Sequence, residues 1–251
     1  MDILFKETPK PYGTFHIISL IISLIFFVFC FILAKKRNNK KDSVVVLIIT
    51  LLLIITEIWK QITRTKLNGG VYPFGIFPFQ LCSIPMYLGI LPIFLKEGKF
   101  KETIYKYITF TGLIGGLAML TVPVVILTNY VLYTIHSLFW HMMLVGQSIY
   151  LIHARKYGNH IFKDIIPCIP ILAVVVATAV ILNSTDYGFN LISLSTKFVN
   201  DPPILNQIYQ SVSYPVYVAL VFSGLVAGLL IADFVVFIIR KIFKGKKRNE
   251  N

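Results

Sequence analysis

The sequence predicts an all-α protein, a membrane bundle of seven transmembrane helices, and three observations support this prediction. Hydrophobic residues make up 56% of the 251 residues and charged residues only 14%, whereas soluble domains average about a quarter charged. The apolar residues cluster into blocks of about 20 residues, the length with which a helix crosses a bilayer. Lys and Arg concentrate at alternate ends of these blocks. We therefore expect one transmembrane domain over residues 1–240 and a basic cytoplasmic tail over 241–251.

The predicted spans are joined by short loops on one side and by longer loops on the other. In chain order the spans are 14–34, 43–66, 78–95, 103–120, 131–153, 163–183 and 213–240. Because the loops on one side are short, the consecutive helices that they join should run antiparallel as neighbours. The longer loops, 67–77 and 184–212, are rich in Gly, Pro, Asn and Tyr, and long loops of this kind often form lids or binding segments.

The charge distribution predicts how the chain is oriented in the membrane. Of the 24 Lys and Arg residues, 18 lie at the ends joined by the short loops or after the last span. Because Lys and Arg resist translocation, we expect the N-terminus outside and the C-terminus in the cytoplasm of a cell-membrane protein. The basic tail should then contact anionic lipid headgroups, and the net charge of +13 does not indicate a nucleic-acid partner.

The first span is expected to remain as an anchor, because it runs directly into "KKRNNKK" without the small-residue cleavage site of a signal peptide. The seventh span contains no Lys for a retinal Schiff base, which excludes a retinal protein.

The third span begins unusually, within "VYPFGIFPFQLCSIPMYLGIL" at residues 71–91. Pro78, Pro85 and Pro92 could break its helix, because proline lacks a backbone N–H donor. The same span carries Cys82. A cysteine in an apolar helix is usually a small packing residue, whereas a nucleophilic cysteine needs a base or a positive field nearby.

Polar residues in the second span share one helical face. In "TEIWKQITR", Glu57, Lys60, Gln61 and Arg64 recur at steps of three and four residues. One interpretation is a buried structural ion pair between Glu57 and Lys60. The other is an acid or a headgroup-binding face, because ionisable groups within a bilayer usually face a bundle interior or a cavity.

The fifth span carries the candidate bases, His136 and His141. Five residues separate them by about 140° around a helix, so they cannot bind one metal from one face, and we expect neither a metal nor a cofactor. Each could be a packing residue or a base for Cys82. Asp233 lies towards the other end of the bundle and is expected to be structural.

Three further polar residues lie in the outer half of the predicted bundle. Gln80, Asn183 and Tyr187 could donate hydrogen bonds to an oxyanion or orient a histidine. These residues complete the candidate site that the residue pattern indicates.

Three blocks of the chain resemble the YwaF-like bacterial integral membrane family, which is related to animal transmembrane protein 164. They are "EIWKQI…FPFQLCSIPMYL", "AMLTVPVV…HSLFWHMMLVGQSIYLI" and "ILNSTDYGFNLISLSTKFVNDPP", the last followed by "YPVY". In order and spacing they cover most of residues 50–220. The chain departs from the family pattern at Asp186–Gly188 and at Gln80, where many members carry His.

The resemblance implies a membrane-embedded acyl-transfer site with Cys82 as nucleophile. The base would be His141, with His136 as the second candidate. The expected substrate is a membrane phospholipid or lysophospholipid, and the reaction a transfer or a hydrolysis. Two alternatives stay open: a transporter or lipid-binding protein that uses the same polar pocket without covalent chemistry, and a purely structural bundle in which the cysteine and both histidines are packing residues.

Overall fold

The apolar blocks of the sequence form long helices in the computed structural model of the chain, which describes residues 7–35, 38–197 and 203–249. Within these residues there is no β-strand, and the predicted all-α class is confirmed. In this part of the chain, six helices are long and apolar enough to cross a membrane. Parts of the predicted regions lie outside the described residues: residues 1–6, Lys36 and Arg37, residues 198–202 of the second long loop, and the last two residues of the basic tail.

Six of the seven predicted spans correspond to long helices among the described residues. The helices are α1 (Thr14–Lys35), α2 (Asn39–Leu67), α3 (Ile84–Leu88), α4 (Lys99–Thr121), α5 (Val131–Arg155), α6 (Ile169–Ser184), α7 (Pro203–Ser211) and α8 (Tyr214–Asn249). α6 begins later than predicted, because the residues before it form turns, including a 3₁₀ turn at Ile166–Cys168. α7 lies inside the predicted long loop, and α8 continues through residues 241–249 of the predicted tail.

α5 is the central helix of the bundle and packs against α1, α2 and α4, while α8 packs against α4, α6 and α7. Glycine allows the closest of these approaches. A Cβ atom at Gly116 of α4 would lie 2.9 Å from the carbonyl oxygen of His141 and 2.5 Å from Val145 Cγ2. Small residues at such positions let membrane helices pack backbone to backbone, so Gly116 fixes the height of the His141 turn against α4.

The third predicted span forms a broken segment rather than one continuous helix. A 3₁₀ turn at Leu81–Ser83 leads into α3, and a second 3₁₀ turn follows at Leu91–Ile93. Pro85 and Pro92 stand at the starts of the last two elements, where a missing N–H is tolerated. The breaks therefore occur where the proline positions predict them.

The broken segment nevertheless traverses the bundle, antiparallel to α2. Near one end of α2, Gln61 Nε2 donates to the carbonyl of Ile76 at 3.0 Å. Near the other end, Ser43 Oγ donates to the carbonyl of Pro92 at 3.3 Å. These two positions on α2 are about 27 Å apart at the helical rise of ~1.5 Å per residue, close to the thickness of a hydrocarbon core. The segment thus provides the crossing between α2 and α4.

A polar cluster joins three helices at the end predicted to be cytoplasmic. Arg155 Nε of α5 lies 2.8 Å from Asp42 Oδ2 of α2, and Tyr150 Oη donates to Asp42 Oδ1 at 2.8 Å. Arg155 Nη1 lies 3.1 Å from Glu97 Oε2, just before α4. Although burial favours the protonated form of Glu97, hydrogen bonds from Lys101 and Arg155 lower the pKa of Glu97. This cluster holds these ends of α2, α4 and α5 together.

Substituting Gly116→Ala should lower the free energy of unfolding by about 1–3 kcal/mol, because the new methyl group overpacks the α4–α5 contact. Gly224→Ala in α8 is the matched control, since a Cβ there meets nothing within 4 Å and should stabilise the helix by about 0.5–1 kcal/mol. Thermal unfolding of the detergent-solubilised protein measures both changes. Equal effects of the two substitutions would contradict the close α4–α5 contact.

Candidate functional site

A cavity of about 330 Å³ opens between α2, the broken segment and the first half of α5. Residues of three separate sequence blocks line it: Glu57, Lys60 and Arg64 from α2, Gly75–Ser83 in part, and Tyr130–His141 in part. Cys82, His136 and His141 all border this space. The structure therefore brings together the candidate nucleophile and both candidate bases.

Cys82 lies in the 3₁₀ turn that precedes α3 and is partly exposed. Its carbonyl oxygen accepts a hydrogen bond from Trp140 Nε1 at 3.4 Å, and Trp140 directly precedes His141 in α5. On the α4 side, a Cβ atom at Gly115 would lie 3.6 Å from Cys82 Cβ. The cysteine is thus held between α4 and the His141 turn of α5, with its side chain at the cavity.

The hydrogen bonding of His141 determines which ring nitrogen can act as a base. Its Nδ1 lies 2.7 Å from the carbonyl oxygen of Ser137, and a carbonyl can only accept, so Nδ1 carries the proton in the neutral ring. Nε2 then keeps a free lone pair. Within the described part of the chain, this Nε2 is buried and has no hydrogen-bond partner. Nε2 is therefore the ring nitrogen available to accept a proton, and in this structure it makes no hydrogen bond to Cys82 Sγ.

His136 has different surroundings, because it faces the acid of α2. Its Nε2 lies 3.9 Å from Glu57 Oε2, and its ring packs between Trp59 and Trp140, with ring centres 6.1 and 5.6 Å away. The other carboxylate oxygen, Glu57 Oε1, lies 2.8 Å from Lys60 Nζ. The predicted Glu57–Lys60 ion pair is present, and it belongs to the wall of the cavity.

Several residues that line the cavity were not predicted, although their spacing in the sequence indicates one face of a helix. Tyr133, His136, Ser137, Trp140 and His141 recur at steps of three and four residues, which is the spacing of one helical face. Arg64 shares the face of Glu57 and Lys60 and lies over the Tyr133 ring, 5.1 Å from its centre. The whole face of α5, and not the two histidines alone, indicates which residues line the cavity.

Gln80 and Asn183, predicted to stabilise an oxyanion, use their side chains to hold a loop. Gln80 lines the cavity, but its amide donates to Asn190 O at 2.9 Å and accepts from Ile192 N at 2.8 Å. Asn183 donates to Leu191 O at 3.0 Å and accepts from Leu191 N at 2.8 Å. Both amides are thus engaged with the turn at residues 190–192.

Tyr187, the third predicted oxyanion donor, lies away from the cavity. Its side chain is 61% exposed, and its ring packs on Phe74, with the ring centres 4.9 Å apart. Next to it, the Lys197 ammonium donates a 2.6 Å hydrogen bond that lowers the pKa of Asp186. The structure brings neither Tyr187 nor Asn183 into the cavity lining.

The loop that Gln80 holds adopts an unusual backbone conformation. Ile192 and Ser193 both have φ of +55°, and a branched residue in this region costs on the order of 1–3 kcal/mol. Tyr217 Oη donates to Ser193 O at 2.7 Å and so supports the same turn from α8. Since Gln80 lies two residues before Cys82, the loop and the cysteine turn are mechanically linked.

The fold and this cavity define a multi-pass membrane protein with a polar site between its helices. The family model of the TMEM164 family matches residues 11–233, and the chain belongs to this family. The predicted relation to transmembrane protein 164 is confirmed, while the YwaF-like name, the orientation and the type of membrane stay predictions. No curated protein and no solved structure matches the chain.

Replacing Gln80 with Ala should loosen the turn at residues 190–192, because two of its backbone groups lose their partner at about 1 kcal/mol per hydrogen bond. We expect trypsin to cleave after Lys197 roughly fivefold faster or more, since local opening governs cleavage. Tyr87→Phe is the control, because it removes a hydrogen bond to Pro78 O in the same segment without touching the turn. Unchanged cleavage in Gln80→Ala would show that the amide does not hold the loop.

Proposed function

We propose that the protein is a membrane-embedded acyl-lipid enzyme, a transferase or a hydrolase, in which Cys82 is the nucleophile and His141 the base. The observation that carries this proposal is the arrangement of His141: Nδ1 is fixed by Ser137 O, and the buried Nε2 has no other partner among the described residues. A base with a free lone pair and a cysteine border the same cavity, and the reaction requires their side chains to come within hydrogen-bond reach. Family membership supports the same assignment by resemblance only.

The reaction would proceed in two steps. In the first, His141 Nε2 takes the proton from Cys82 Sγ, and the sulfur attacks the carbonyl carbon of an acyl ester. The carbon–oxygen bond breaks, the leaving alkoxide takes the proton from His141, and an acyl-cysteine remains. In the second, a lysolipid hydroxyl or water gives its proton to His141 and attacks the thioester, which restores the thiol.

The cavity also offers groups that suit a lipid headgroup. Lys60 and Arg64 lie at the cavity on the outer part of α2, and one of their charges is balanced by Glu57. His136 is the second candidate for the base, because its Nε2 also has no hydrogen-bond partner among the described residues and lies 3.9 Å from Glu57 Oε2. A cation pair above the cysteine would orient the headgroup, while the acyl chains stay in the bilayer.

The broken segment favours a second candidate function, a transporter or lipid-binding protein without covalent chemistry. Discontinuous helices at mid-membrane often form substrate sites in transporters, and residues Leu81–Ile93 are such a segment. The two functions differ in one measurable respect, since only the enzyme forms an acyl-cysteine.

Intact mass spectrometry of the purified protein, incubated with a phospholipid of defined acyl chains, tests the enzyme. We expect a mass increase of one acyl group that neutral hydroxylamine removes and that Cys82→Ala abolishes. Cys30→Ala is the matched control, because Cys30 is buried in α1 away from the cavity. His141→Gln should slow acylation about 100-fold or more, the usual contribution of a general base.

Two results would contradict the enzyme. One is an adduct that persists in Cys82→Ala. The other is the absence of an adduct together with lipid turnover unaffected by that substitution. A slower reaction in His136→Gln than in His141→Gln would transfer the role of base to His136.

A further inference from the structure

A second polar cavity lies at the opposite end of the bundle from Cys82. It has a volume of about 170 Å³ and forms where the start of α4, the end of α5 and the loop 156–163 meet. Its charged lining residues are Glu102, Lys106, Arg155, Lys156, Lys163 and Asp164. Four of these are cationic and two are anionic, so the lining carries an excess of positive charge even with His160, which also borders the cavity, left neutral.

Two of the cations are already paired. Lys106 Nζ lies 3.0 Å from Asp164 Oδ1. Arg155 Nη1 lies 3.5 Å from Glu102 Oε2. Arg155 also lies 2.8 Å from Asp42 and 3.1 Å from Glu97, so its charge is shared among three carboxylates. Within the described residues, Lys156 and Lys163 form no ion pair and are exposed at the rim.

Arg155, which also lines this cavity, has a hydrogen-bond donor that is buried inside the bundle. Its side chain is only 7% exposed, its Nε and Nη1 face carboxylates, and its Nη2 is buried without a hydrogen-bond partner in the described part of the chain. A buried guanidinium nitrogen without an acceptor is unfavourable, and an anion in the adjoining cavity would supply one. Guanidinium groups bind phosphate oxygens particularly well.

The loop that carries the two lysines is held in one shape. Lys156, Gly158 and Phe162 have φ of +60°, +75° and +61°, a conformation that non-glycine residues adopt at a cost. Asp164 Oδ2 accepts from Gly158 N at 2.8 Å, and Asp233 Oδ2 accepts from Phe162 N at 2.6 Å. Two buried carboxylates thus fix the loop and keep both lysines at the rim. Asp233, expected to be structural, has this role.

We propose that this inner cavity binds a phosphate group, with Lys156, Lys163 and Arg155 as its ligands. A tetrahedral phosphate presents oxygens in several directions, which suits donors that converge from a loop and a helix end. The phosphate is either that of a lipid headgroup in the facing leaflet or a free inorganic ion. The proposal does not depend on the reaction at Cys82.

The test compares wild type with Lys156→Gln/Lys163→Gln in detergent micelles. The control is Lys96→Gln/Lys99→Gln, which removes the same charge from exposed residues near the same end that do not line the cavity. Calorimetric titration with sodium phosphate measures the free ion. Native mass spectrometry with phosphatidylglycerol and with diacylglycerol, which lacks the phosphate, measures the lipid. Thermal unfolding shows whether both variants are folded, and Lys163→Gln alone replaces the double variant if that one is not.

We expect at least one phosphate-bearing probe to bind wild type and the control equally, and to bind the cavity variant about tenfold or more weakly, equivalent to about 1.4 kcal/mol. A loss for phosphatidylglycerol identifies a headgroup site, and a loss for sodium phosphate alone identifies a site for the free ion. Equal binding by all three proteins, equal losses in both variants, or no binding by wild type would each overturn the proposal.

Discussion

The prolines of the third crossing segment impose the constraint on which the candidate site depends. A continuous helix between α2 and α4 would pair its backbone groups in internal hydrogen bonds and place side chains regularly around its axis. Pro85 and Pro92 instead divide the segment into short helical pieces, and the preceding 3₁₀ turn places Cys82 at a cavity. The segment still crosses the bundle because α2 contacts it at both ends.

The polar groups within the bundle form two clusters, one at the cavity and one at the opposite end. At the cavity, Glu57 balances Lys60 and faces His136, while His141 keeps Nε2 free. At the opposite end, Asp42 and Arg155 join α2 to α5. Because unpaired charges within a bilayer are costly, the paired groups explain how the bundle remains stable. Among the described residues, His136 Nε2, His141 Nε2 and Arg155 Nη2 are buried nitrogens without a hydrogen-bond partner, and they mark where ligands are expected.

The sequence predicted the helices well because their apolar blocks and flanking charges are strong local signals. It also placed Glu57, Cys82 and both histidines in one half of the bundle, and the structure puts them around one cavity. It could not predict that Gln80 binds the turn at Ile192, since that hydrogen bond joins residues far apart in sequence. Asn183 binds Leu191, which is near in sequence, but through a turn with a positive φ at Ile192, which a β-branched residue does not predict. The shape of the loop at residues 156–163 was not predicted, because one of the carboxylates that hold it, Asp233, meets the loop only after folding.

The most direct test of the account is the rate at which iodoacetamide alkylates Cys82 at neutral pH, measured in a Cys30→Ala/Cys168→Ala background. Since the thiolate is the reactive form, a base at His141 predicts that His141→Gln slows alkylation about tenfold or more, and that His136→Gln has a smaller effect. Equal rates in the parent protein and in His141→Gln would contradict the pairing of Cys82 with His141.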